Sequence, residues 1–150
     1  MNRIVVTDSE IPAGVEMGIN SDKVCHIIAK ARVFDAKEGD SDPDSGSNAA
    51  DDGMADVLED KADDLSYREL MAFIRTLSED EQVSLVALAW VGRGTYDIAE
   101  WGEAHNLARH EHNKRTAEYL TGLPLLSDYL EEGLAAFGKN CKAFDTEQGV

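Results

Sequence analysis

The sequence has few cysteines and no long apolar run, and each shortage excludes a class of protein. Only two cysteines, Cys25 and Cys141, occur among 150 residues. A disulfide framework is therefore not indicated, and we expect a reduced, cytoplasmic protein. No stretch approaches the roughly 20 apolar residues that cross a bilayer. Residues 1–18 lack the basic-then-apolar pattern of an export signal, which favours the same expectation.

Positive charge is also scarce. Lys and Arg number 14 against 30 Asp and Glu, which gives a net charge of −16. Such a surface repels phosphate backbones and anionic headgroups, so we expect no nucleic-acid partner and no membrane partner. A protein partner or a second copy of the chain stays compatible with this charge.

The motifs of common enzyme classes are missing. Neither a Gly-x-Ser-x-Gly motif nor a phosphate-binding glycine loop ending in Lys-Ser or Lys-Thr occurs. His105, His110 and His112 lack the three- or four-residue spacing that places two metal ligands on one helical face. We therefore name no catalytic residue, no metal site and no cofactor, and the question of enzymatic activity stays open.

What the chain does contain is helical periodicity, centred on residues 78–101. Ser78 and Glu81 have the spacing of a capping box, which predicts the start of a helix. The apolar residues that follow cover most sides of this helix, and Gly92 or Gly94 can adopt the left-handed conformation that ends it. A helix with so wide an apolar surface needs neighbours on most sides, so we expect it at the centre of the fold.

Other apolar stripes predict the remaining helices. They lie at about residues 21–38, 66–77, 98–121 and 124–137, the third with a candidate break near Asn113. Ser66 and Glu69 repeat the capping-box spacing. We predict an all-α fold in a single domain, residues 1–150. It is a compact bundle of about five helices with an extended arm (1–20), an acidic loop (39–53) and a frayed tail (139–150). Whether the β-branched residues of the arm pair as strands is left open.

The acidic loop offers a first candidate site. Residues 35–64 hold twelve of the thirty acidic residues. Five oxygen-bearing side chains take calcium-loop positions 1, 3, 5, 9 and 12, but the glycine comes one place late and aspartate replaces the final glutamate. This pattern favours a solvated loop over a calcium site. The five are Asp40, Asp42, Asp44, Asn48 and Asp51.

A second candidate is the arginine between two glycines. Arg93 lies close in sequence to two tryptophans, and an arginine in such a place can clamp a carboxylate or phosphate. His105 would be the acid or base, and Arg115 a further basic neighbour. A plainer interpretation is that Gly-Arg-Gly ends a helix and that Arg93 pairs with Asp97 or Asp128. The candidate ligand-binding residues are Arg93, Trp90, Trp101, His105, Arg109 and Asp128.

Two motifs within residues 66–138 resemble a known family. They are Trp-x-Gly-Arg-Gly, at 90–94, and Pro-Leu-Leu-x-Asp-Tyr-Leu-Glu-Glu-Gly, at 124–133. The chain is similar to small bacterial proteins that are catalogued only as a domain of unknown function. This resemblance implies a bacterial, cytoplasmic setting and brings no activity, substrate or catalytic residue.

Two functions are consistent with these observations. The first is a non-enzymatic helical protein-interaction module, such as a homodimer or an adaptor, with its acidic loop available to a basic partner. The second is a small anionic-ligand-binding or enzymatic site around Arg93 and His105.

Overall fold

Seven α-helices build the described part of the protein. The computed structural model describes residues 11–40 and 65–147, apart from the side chains of residues 36–40 and 145–147. No strand occurs in these residues, and five of their helices have eleven residues or more, which confirms the predicted all-α bundle. In chain order they are α1 (Ser21–Asp40), α2 (Leu65–Thr76), α3 (Glu79–Arg93), α4 (Trp101–Glu111), α5 (Thr116–Thr121), α6 (Leu126–Ala136) and α7 (Lys142–Glu147), with a 3-10 turn, Ile98–Glu100, before α4.

The predicted central helix is α3. The N–H of Glu81 donates to Ser78 Oγ at 3.1 Å, and the Ser78 N–H donates back to Glu81 Oε1 at 2.9 Å, so the capping box is confirmed. Every residue from Val83 to Val91 is buried. Gly94 ends the helix with φ of 95°, in the left-handed region. The helix packs most extensively against α6 and α4, which gives this apolar surface the neighbours it needs.

Two glycines let α3 and α6 approach each other unusually closely. A Cβ on Gly92 would lie 1.6 Å from the carbonyl oxygen of Tyr129, and one on Gly133 would lie 2.6 Å from that of Leu88. In each case the nearest atom is a backbone oxygen. A backbone atom cannot move aside as the end of a flexible side chain can, so only glycine fits at these two positions. The Trp-x-Gly-Arg-Gly motif and the end of the Pro-Leu-Leu motif are thus the two sides of one helix crossing.

Several predicted helix limits change in the structure. Because α2 already includes Leu65, Ser66 lies inside the helix and the prediction that it caps the helix is wrong. The break near Asn113 is confirmed: the Asn113 carbonyl accepts the Thr116 hydroxyl at 2.9 Å, and a turn separates α4 from α5. The prediction of a frayed tail is wrong for residues 142–147, which form α7.

The expectation that the two cysteines are reduced is also wrong. Cys25 on α1 and Cys141, just before α7, form a disulfide with their Cα atoms 5.7 Å apart, although 116 residues separate them in sequence. A count of two cysteines carries no information about whether folding brings them together, and this is why the sequence did not indicate the bond.

Part of the predicted organisation lies outside the described residues. This applies to residues 1–10 of the arm, to the acidic loop beyond Asp40 with its calcium pattern, and to residues 148–150. Residues 11–20 precede α1 without regular structure and bury Met17 and Ile19 in the core. In the parts of the chain that the structure covers, no helix has both the length and the apolarity to cross a membrane.

Candidate functional site

The structure distributes the six predicted ligand-binding residues over separate places. Trp90 lines one cavity, Trp101 and His105 line a second, and Asp128 lines a third. Arg109 forms an ion pair with Asp80 at 2.9 Å. The six side chains therefore do not surround one common ligand position.

Arg93 has neither of the acidic partners that the sequence predicted. Its Nε donates to Thr95 Oγ1 at 3.0 Å, and the residue is exposed. Asp128 instead pairs with Arg32 at 3.3 Å, and Arg32 also reaches Glu131 at 2.6 Å. The expected pairing of Arg93 with Asp97 or Asp128 is wrong, because Arg93, the last residue of α3, bonds to Thr95 in the turn that follows.

His105 forms a pair with a buried serine. Its Nε2 lies 3.1 Å from Ser84 Oγ, and its ring contacts the Trp101 indole at a centroid distance of 5.7 Å. Burial, followed by the charge of Arg109, lowers the pKa of His105, while Asp80 opposes the shift. The distance suits a nucleophile and its base. However, Ser84 is 1% exposed, and a Cβ on Gly18 would lie 2.3 Å from its hydroxyl. The residues before α1 thus cover this hydroxyl and leave a substrate no approach.

The cavity that Trp90 lines is here called the aromatic cleft, and it lies among α3, α4 and α5. Its volume is about 280 Å³. Val86, Trp90 and Ala108 form its apolar surface, and Tyr119 and Arg115 stand at its polar side. The complete lining is Val86, Trp90, Ala108, Glu111, His112, Asn113, Arg115, Thr116 and Tyr119.

One hydrogen bond determines what the cleft can offer a ligand. The Trp90 indole N–H donates to the Tyr119 hydroxyl oxygen at 2.9 Å. The indole has a single hydrogen-bond donor, and this bond satisfies it. Trp90 can therefore be buried, with only 9% of its surface exposed, without leaving a polar group unpaired. Tyr119 uses its oxygen as the acceptor and keeps its own proton to donate elsewhere. Tyr119 lines the cleft and is 42% exposed, so a ligand in the cleft can contact this side chain.

A second set of bonds determines which nitrogen of His112 carries a proton. Gln82 Nε2 donates to the carbonyls of Ile74 at 3.0 Å and Leu77 at 3.4 Å. The Gln82 Oε1 is then the atom that faces His112 Nε2, at 2.8 Å, and an amide oxygen only accepts. His112 must therefore donate from Nε2, and its Nδ1 lies 3.7 Å from Glu79 Oε2.

Arg115 gives the cleft its positive charge. Its Nε lies 3.5 Å from Glu118 Oε1, and its side chain is 78% exposed. An ion pair so exposed holds its partners weakly, so the guanidinium can turn to an incoming anion at little cost. Glu111, which is exposed and also lines the cleft, limits how much negative charge a ligand can carry.

The arrangement of acidic, histidine and cysteine side chains bears on metal binding. Among the side chains that the structure describes, in residues 11–35 and 65–144, no three of His, Cys, Asp or Glu converge as metal ligands would. The cleft itself combines hydrogen-bonding side chains, a cation and an apolar surface.

Sequence reasoning found part of this cleft and missed its centre. Trp90 was among the candidates and Arg115 was named as a basic neighbour, whereas Tyr119, His112 and Gln82 were not selected. Tyr119 lies 29 residues from Trp90. Only the turn at 112–115 brings α5 back to α3. Gln82 gives no separate signal in the sequence, because Glu79, Asp80 and Glu81 precede it in the same polar first turn of α3.

Comparison with known proteins agrees with the extent of the predicted resemblance. No curated protein and no solved structure matches the chain. All residues that line the aromatic cleft lie inside the span that a family model matches, while Cys25 and Cys141 lie outside it. Over residues 67–139, from α2 to the end of α6, this chain is similar to a family described as a protein of unknown function (DUF3775).

Proposed function

We propose that this chain is a non-enzymatic helical binding module that recognises, through its aromatic cleft, a carboxylate carried on a small apolar body. The observation that supports this proposal is the Trp90–Tyr119 hydrogen bond, which leaves the Tyr119 proton available beside the Arg115 guanidinium. A hydroxyl donor and a guanidinium together are the groups that proteins use to hold a carboxylate.

The apolar surface defines the rest of the ligand. Trp90 presents part of an indole, and Val86 and Ala108 supply aliphatic contacts. An aromatic or branched aliphatic group can pack there and remove this surface from water. At about 280 Å³ the cleft is just below the roughly 300–1,000 Å³ of most small-molecule pockets, so the occupant is small.

Binding is favoured over catalysis by the surroundings of the Ser84–His105 pair. A general base needs reach to its substrate, and a serine nucleophile must be exposed to attack. Ser84 is buried under Gly18, so the pair stabilises the packing of residues 11–20 on α3.

The same chemistry links the cleft to an interaction module. A carboxylate beside an apolar side chain occurs both in free metabolites and at the C-terminus of a protein chain that ends in an apolar residue. A protein partner or a homodimer partner would enter the cleft with such a terminus. The two sources share one recognition chemistry, and they are distinguished by the probes used.

Tryptophan fluorescence tests this proposal directly, because Trp90 is one of two tryptophans in the chain. In a Trp101→Phe background Trp90 is the only tryptophan, and its emission is observed selectively by exciting at a wavelength that tyrosine does not absorb. We expect phenylacetate, or a tetrapeptide ending in Phe with a free carboxylate, to change this emission saturably. The corresponding amides should leave it unchanged. A stronger response to the peptide would indicate a protein terminus as the natural ligand, and a stronger response to phenylacetate a free small molecule.

A matched pair of variants isolates the cleft. Arg75 and Arg115 both contact the Glu118 carboxylate, but Arg75 is absent from the lining of the cleft. We expect Arg115→Gln to weaken carboxylate binding by about tenfold, since charge-assisted hydrogen bonds contribute roughly 1.5–3 kcal/mol. Arg75→Gln should stay within about twofold of the parent protein. Equal weakening by both variants, or equal binding of acids and amides, would contradict the proposal.

A further inference from the structure

The disulfide lies at the border of the packed bundle. Cys25 is 3% exposed on α1, whereas Cys141 is half-buried in the segment that follows α6. Both cysteines fall outside residues 67–139, the span of the family match. The bond therefore joins two elements that flank this span, and it does not cross the contact between α3 and α6.

The segment that carries Cys141 packs only weakly against the other helices. The helix α7 is not among the pairs of helices that pack extensively in the described residues. The Lys139 N–H donates to the Leu134 carbonyl at 2.9 Å, which is a local bond at the end of α6. Beyond this bond, Phe144 packs partly against the core. A six-residue helix is too short to be stable by itself in water.

The two sulfurs differ in accessibility. Cys141 is the more exposed residue of the pair, since Cys25 is 3% exposed within the core and Cys141 is only partly buried. Thiol–disulfide exchange requires the attacking sulfur to approach the bond in line. Attack at the Cys141 sulfur is consequently favoured, with Cys25 as the leaving thiolate.

We infer that Cys25 and Cys141 form a redox-controlled latch that holds residues 139–147 on the helical bundle. The partner in the reaction is a dithiol. Its first thiolate forms a mixed disulfide with Cys141 and releases the Cys25 thiolate, which takes up a proton. Its second thiol then displaces Cys141 as a thiol and closes the cyclic disulfide. The protein gains two electrons and two protons, and the dithiol loses the same number. In the reduced state residues 139–147 detach, while α2 to α6 stay packed.

Hydrogen exchange with mass spectrometry tests the latch in the full chain. The protein is incubated with oxidised or with reduced dithiothreitol, and all samples are reduced in the acid quench so that they yield the same peptides. We expect amide exchange in residues 139–147 to rise at least about tenfold on reduction. Exchange in residues 83–91 of α3 should not change.

The double variant Cys25→Ser/Cys141→Ser provides the control. Its residues 139–147 should exchange as in the reduced protein, with no response to dithiothreitol. Thiol alkylation of the parent protein counts its free thiols. After unfolding, the oxidised protein should take up no alkyl group and the reduced protein should take up two. Three results would overturn the inference: equal protection of residues 139–147 in both redox states, loss of protection in α3 on reduction, or free thiols in the oxidised protein. The second of these would make the bond a staple for the whole fold.

Discussion

At the scale of single residues, the interior of this acidic protein contains a few polar groups, each with a partner. In the described residues no buried side-chain nitrogen or oxygen lacks a hydrogen bond. Ser84 with His105, and Trp90 with Tyr119, join helices distant in sequence. An unpartnered polar group in the same places would cost about 1–3 kcal/mol. These bonds therefore select one packing arrangement among the many that apolar contacts alone would allow.

His105 should make stability depend on pH. Its folded-state pKa lies below the ordinary value of 6.5, chiefly because of burial. As pH falls through 6.5 the unfolded chain binds a proton before the folded one does, so the free energy of unfolding decreases until the folded pKa is passed. Burial, followed by Lys30, also lowers the pKa of His26, which adds in the same direction.

We expect His105→Gln to reduce this loss of stability between pH 7.5 and pH 5.5. Urea unfolding at several pH values measures it, and His110→Gln is the control because His110 is exposed. The two variants are compared by the slope of their free energy of unfolding against pH. Protonation of carboxylates contributes equally to both slopes, so the difference between them reports His105. Equal slopes for the two variants would show that His105 does not contribute.

At the scale of elements, the crossing of α3 and α6 positions both the core and the cleft. Trp90 lies two residues before Gly92, and Gly92 contacts the Tyr129 carbonyl. The orientation of the indole thus depends on how closely α3 can approach α6. Side chains at the crossing would separate the helices and tilt α3 relative to α5, where Tyr119 resides.

Gly92→Ala tests this close approach. A methyl group 1.6 Å from a backbone oxygen forces the helices apart, and we expect a loss of about 3 kcal/mol in the free energy of unfolding. Gly102 in α4 is the matched control, since a Cβ there meets nothing within 4 Å. Gly102→Ala should raise stability by about 0.5–1 kcal/mol, because alanine favours the helix. Urea denaturation measures both changes. A Gly92→Ala variant with an unchanged free energy of unfolding would refute the close crossing.

At the scale of the whole molecule, charge is the dominant property. A net charge of −16 on 150 residues destabilises the compact state by self-repulsion. The surface ion pairs, such as Lys23 with Glu81 at 2.6 Å, are partly exposed and offset little of this repulsion. The bundle is therefore held together by its apolar interior.

Salt should accordingly stabilise this protein. We expect the melting temperature to rise by several degrees between about 10 mM and 300 mM NaCl, as the Debye length falls from about 30 Å to below 8 Å. Tetramethylammonium chloride should act equally, because screening does not depend on the cation. A fall in melting temperature would contradict the expectation. A rise specific to calcium, abolished by Asp42→Ala, would instead support the calcium pattern at Asp40 to Asp51, which stays a prediction.

The sequence by itself determined the main helices and both ends of the central one. Ser78 with Glu81 specifies where α3 begins, because a capping box acts within four residues, and Gly94 specifies its end for an equally local reason. The apolar circumference of α3 also placed it at the centre, since such a surface must be covered.

The tertiary structure alone decided which distant side chains meet. The contacts of Trp90 with Tyr119, of Gly92 with Tyr129 and of Cys25 with Cys141 depend on helix directions that no local pattern encodes, because they result from packing every apolar face at once.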